Sequence, residues 1–103
     1  LIKELSRHRQ VLCVTHLPQV AAHADAHVRI EKREGAGRTR SVIERLEQPG
    51  ARATELARML SGVEVSREAL GAAEALIRSA HRGARSARAR KRNQQTTRER
   101  RSA

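Results

Sequence analysis

Apolar positions change period several times along the 103 residues, and each change marks a structural element. LIKELSRH places Leu1, Ile2 and Leu5 on one helical face, so the chain is expected to open inside or at the end of a helix. Residues 11–14 (VLCV) form an uninterrupted apolar run, the pattern of a strand covered on both faces of a mostly parallel sheet. Thr15 and His16 break that run, and Pro18 suits the first turn of a short helix in PQVAAHA. AHVRIEKRE then alternates Val28 and Ile30 with charged neighbours, GAGR supplies a turn, and RTRSVIERLE returns around Val42 and Ile43.

Pro49-Gly50 ends this predicted hairpin. ARATELARMLSG carries Ala53, Leu56, Ala57, Met59 and Leu60 on a helical stripe that stops at Gly62. Ser66 is a good N-cap for SREALGAAEALIRSAH, where Leu70, Ala73, Leu76 and Ile77 recur at helical spacing. Both helices are expected to cover the sheet, with Met59 as core filler. The fold class that follows is α/β: buried strand, short helix, β-hairpin and two covering helices over residues 1–80. Residues 81–103, without an apolar side chain larger than alanine, are expected to form a disordered Arg-rich tail.

Composition narrows this picture. The chain is long enough for one domain at most, and with no aromatic residue it cannot build a large core. Its start at Leu1 suggests a carboxyl-terminal fragment. No apolar run reaches the length of a membrane span and no leader precedes the first strand, so a cytoplasmic product without membrane partners is expected. Cys13, alone in an apolar run, reads as a small buried hydrophobe. The net charge of +11 is uneven, with 13 Lys+Arg against 10 acidic residues in 1–80 and 9 against 1 in 81–103. Such a tail attracts phosphate backbones without sequence preference. The excess of arginine over lysine also fits a genome-wide coding bias and a merely solvated tail, and both readings stay open.

Chemistry centres on His16. A histidine at the carboxyl end of a buried strand, just before a helix, sits where open α/β sheets bind ligands. An imidazole there can donate a hydrogen bond to a phosphate oxygen. The same place equally suits a histidine that only satisfies a backbone group. Cys13 and His16 with His23 and His27 resemble a zinc-ligand spacing, but residues three apart on a strand face opposite ways, so no metal site is expected. Glu31, Glu34, Glu44 and Glu47 alternate with arginines on the hairpin, which points to solvated cross-strand pairing rather than catalysis.

QVLCVTHLPQVAAHADAHVRIEK, followed by GRTRSVIERL and ARATELARMLSGVEVSREAL, closely resembles the carboxyl-terminal end of the RecN family of bacterial DNA repair proteins, in the SMC-like branch of ABC-type ATPases. The resemblance runs from Leu1 to about Ala80 and leaves the tail uncovered. It implies the carboxyl-terminal part of a P-loop ATPase head, with His16 as the switch or H-loop residue at the γ-phosphate and Thr15 and Gln19 as weaker flanking candidates. It also implies ATP and Mg²⁺ as cofactors of the complete protein, and the rest of the head, a second head and DNA as partners. A nucleoid-associated role in recombinational repair of double-strand breaks would follow. The alternative is a free-standing basic nucleic-acid-binding module. The 103 residues hold no G-x-x-x-x-G-K-[ST] loop, no acidic pair after an apolar strand and no signature motif. The purified chain is therefore expected to show no magnesium-dependent release of phosphate from ATP, and measurable turnover would contradict this.

Overall fold

Alternation of apolar and charged residues over 28–45 gives the two strands of the protein, and helical periodicity on either side gives its helices. The computed structural model describes residues 2–102. Leu1, expected on the first helical face, and the last tail residue, Ala103, lie outside the described residues. The order is α1 (Ile2–Leu5), α2 (Pro18–Ala21), β1 (Val28–Gly35), β2 (Arg38–Arg45), α3 (Ala51–Ser61) and α4 (Arg67–Arg101).

β1 and β2 pair antiparallel, with Ile30 opposite Ile43 and Arg29 opposite Glu44. Ala36 and Gly37, both at positive φ, make the two-residue turn, whose twist matches the flanking strands. Glycine accepts this conformation freely, whereas Ala36 holds it against its Cβ. Leu46 N–H donates to the His27 carbonyl at 2.9 Å and closes the open end of the hairpin. The expected cross-strand pairing is present in one place, where Arg29 binds Glu44 at 2.6 Å. Arg33 with Glu31 at 3.3 Å and Arg45 with Glu47 at 3.0 Å pair instead along the chain, two residues apart.

The core is small and built mostly of alanine. Leu56 and Ala57 of α3 pack with Ala73 and Ala80 of α4 and with Ala21 and Ala22 at α2, flanked by Met59, Leu70, Leu76 and Ile77. Small side chains let the helices approach closely, and Leu56 is the one large side chain fully buried among the described residues. α3 ends at Gly62, whose positive φ and N–H donation to the Arg58 carbonyl at 2.8 Å stop the helix where the sequence signalled. Ser66 caps α4 by accepting from Ala69 N–H at 3.0 Å.

Several expectations differ from the structure. α3 and α4 pack on each other and α3 on α2 rather than covering the sheet, and Val28, Ile30 and Ile43 of the hairpin stay exposed. Residues 11–14 form no strand, and Leu12 and Val14 are 91% and 89% exposed. Cys13 is exposed rather than buried. A two-faced strand takes hydrogen bonds and cover from neighbouring strands, and among the described residues β1 and β2 pair only with each other. Residues 81–101, expected to be disordered, continue α4 as one helix of 35 residues. Alanine and arginine are strong helix formers, no proline interrupts them, and Arg98, Arg100 and Arg101 complement the carboxyl end of the helix dipole. Local propensity thus makes a helix where burial contributes little, since α4 carries no fully buried residue beyond Ala80. No helix among the described residues is long and apolar enough to cross a membrane.

With Leu56 holding three helices together, Leu56→Ala should destabilise the fold by about 2 to 5 kcal/mol, the range for emptying a leucine site. Urea unfolding of the two chains measures it, and a loss below about 1 kcal/mol would show that the core does not depend on this residue.

Candidate functional site

The segment THLPQ is a sharp turn fixed by its own residues. Thr15 Oγ1 accepts from Leu17 N–H at 3.0 Å, folding the backbone around His16. Pro18 holds Leu17 extended (φ −95°, ψ 114°) and starts α2, while the Leu17 carbonyl accepts from Val20 and Ala21 N–H, both at 3.1 Å. Pro18, Ala21 and Ala22 are buried, so α2 is seated against the helical core by its small residues. Arg52 of α3 adds a second tie by donating to the Ala24 carbonyl at 2.8 Å.

His16 stands at the apex of this turn, exposed, and among the described residues its imidazole makes no hydrogen bond within the chain. Thr15 is half-buried, with its hydroxyl engaged by the turn, and Gln19 is exposed on α2. The three candidates therefore share one short segment with different parts: Thr15 shapes the turn, His16 projects from it and Gln19 flanks it. His16 sits before the helix as expected but after a segment without regular secondary structure rather than a strand. Among the described residues no group of three His, Cys, Asp or Glu side chains is placed to hold a metal ion.

Comparison with known proteins decides the family. The chain is 49% identical over 76 residues to the DNA repair protein RecN of Xylella fastidiosa strain Temecula1, which covers 74% of the chain. It is 46% identical over 79 residues, or 77% of the chain, to that of Streptomyces coelicolor. It is 46% identical over 65 residues, or 63% of the chain, to that of Bacillus subtilis. The chain belongs to the RecN family. It spans 14% of the length of the Xylella and Streptomyces RecN proteins and 11% of the Bacillus one. No protein-family model matches the chain.

Where the hairpin meets α3, this RecN segment holds a charged cluster that the sequence did not announce. Glu55 is 5% exposed, accepts from Arg58 Nη2 at 2.6 Å and Nε at 2.9 Å, and has Arg29 Nη1 of β1 at 3.7 Å. Burial pushes its carboxyl up, but the Arg58 hydrogen bonds and charge, with Arg29 and His27 behind them, outweigh burial and hold it below its ordinary value. His27, half-buried beside it, is held low by burial first and then by Arg52, against the opposing pull of Glu55. His27 lines a recess of about 330 Å³ with Asp25, Arg45, Glu47 and Arg52. Asp25 is held low chiefly by the Lys3 hydrogen bond of 2.5 Å, with Arg88 and Arg52 adding to it. The readable signal for Glu55 was its three-residue spacing to Arg58, which an amphipathic reading assigns to the solvent side.

Both shifts make stability fall as the pH drops. His27, lowered from 6.5, contributes stability that is complete above its unfolded pKa and is lost as the pH falls through its folded value. Glu55, lowered from 4.5, behaves in the same way further down the scale. Urea midpoints should therefore decline in two stages, one beginning below about pH 6.5 and one below about pH 4.5. His27→Gln should remove the upper stage and Glu55→Gln the lower; a parent chain with a flat profile between pH 7 and 5.5 would contradict the His27 assignment.

Proposed function

We propose that this chain is the carboxyl-terminal segment of a RecN-like ATPase head acting in recombinational repair of DNA double-strand breaks, and that His16 is its switch residue toward the γ-phosphate. The observation that carries this reading is the THLPQ turn: an exposed imidazole, free of internal hydrogen bonds among the described residues, on a segment tied to α3 at two places. The match to proteins named DNA repair protein RecN supports the process. The rest of the head, a second head and DNA are the partners, in a cytoplasmic, nucleoid-associated setting.

The donor set fits a contribution to a nucleotide site rather than a whole one. His16 offers one N–H donor to a phosphate oxygen, and Thr15, already bound to the Leu17 amide, orients the turn instead of reaching a ligand. Gln19 can lend an amide from the single turn of α2. ATP with Mg²⁺ supplies the phosphoryl group whose transfer to water is the reaction. His16 acts by position and charge: a donor fixed before reaction stabilises charge as it develops and spends nothing on reorganisation. Pro18 and the Thr15 hydroxyl provide that fixing, because they restrict the backbone on either side of His16.

In the complete protein, His16→Ala should lower turnover by on the order of 100-fold or more, the cost of losing one comparable preorganised donor, with little change in ATP affinity. Steady-state phosphate release and equilibrium nucleotide binding separate the two. Equal losses in both would assign His16 to ground-state binding and overturn the switch role.

A further inference from the structure

We infer that the stretch of α4 from Arg78 to Arg92 is a docking ridge for the phosphate backbone of duplex DNA, a site separate from the THLPQ turn and not dependent on the reading of His16. Arg78, Arg82, Arg85, Arg88 and Arg92 follow one another at steps of three or four, which keeps them within an arc of about 120° on a continuous helix. They face away from Ala73, Ala80 and the half-buried Ala84 and Ala87, which lie on the docked side. The ridge spans roughly 21 Å, about six phosphate steps along one strand of B-form DNA.

A second element converges on it. Arg7, from the turn after α1, joins Arg88, Lys91, Arg92 and Gln95 in a recess of about 400 Å³, and no carboxylate lines it. Four cations and an amide, drawn from two parts of the chain, face one space, and a phosphate diester supplies the acceptor oxygens they lack. Arginine forks suit that geometry better than lysine ammonium groups do. The like charges repel one another along the helix, so a polyanion relieves a cost that the free chain carries.

The composition selects the partner. Beyond Ile77 no apolar side chain exceeds alanine, so the ridge has nothing to insert into a lipid surface. The chain has no aromatic residue on which the bases of a single strand could stack. A duplex backbone, read as charge and spacing alone, remains.

The test measures binding of the full chain to a 30-base-pair duplex without nucleotide, across a salt series. Each neutralised phosphate contributes about 0.9 to the slope of log affinity against log salt. Replacing Arg82, Arg85, Arg88 and Arg92 by Gln should reduce that slope by about 3 to 4. The four Arg→Lys replacements should retain it. Removing four charges from the hairpin instead (Lys32, Arg33, Arg38 and Arg40, each to Gln) should change it by less than about 1. An unchanged slope in the α4 Gln variant, an equal drop in the hairpin variant, or an equal drop in the Lys variant would overturn the proposal. So would equally tight association of the parent chain with anionic lipid vesicles.

Discussion

Close packing of α3 between α2 and α4 sets the position of every other feature. Because Ala21, Ala22, Ala57, Ala73 and Ala80 are small, the three helices meet around the single large side chain of Leu56. This contact seats α2, and α2 carries the turn from which His16 projects. The same helix α3 presents Glu55 to Arg29, which draws the base of the hairpin toward the helices. An alanine core gives position with modest burial, so the polar ties are proportionately more important. Arg52 to the Ala24 carbonyl and Lys3 to Asp25 both fasten the stretch following α2.

Glu55 shows why an ion pair at such a junction differs from those on the hairpin surface. Arg33 with Glu31 and Arg45 with Glu47 are largely exposed and contribute little, since water and salt screen them. Glu55 is enclosed, and its carboxylate is acceptable only because Arg58 and Arg29 surround it. That geometry specifies how the hairpin meets α3 more than it stabilises the fold, because an unpaired carboxylate there would be costly in any other arrangement.

The parts of this fold that local pattern could reveal were legible in the sequence. Period-two alternation located the hairpin, Gly62 marked the end of α3, and Ser66 marked the start of α4. His16 was found from the break after an apolar run followed by Pro18, and the turn around it is present. The strand at residues 11–14 was not realised, because strand identity rests on hydrogen bonds to other segments and none of β1, β2 or the helices supplies them. The helical course of residues 81–101 was missed for the opposite reason. The absence of a buriable face was weighed above the helix propensity of an Ala- and Arg-rich sequence without proline. Glu55 escaped because the cation facing it from the hairpin, Arg29, is 26 positions away in the chain and on another element.

The exposed run at residues 11–14 bears on the order in which the molecule acquires its parts. Hairpin, α3 and α4 arise from contacts close in sequence, which form early in folding. Leu12 and Val14 gain no cover from such local contacts and stay exposed. An exposed apolar stretch outside any sheet is open to pairing with the wrong neighbour. The histidine immediately downstream does not depend on such pairing, because the Thr15 hydroxyl and Pro18 shape its turn from within the chain.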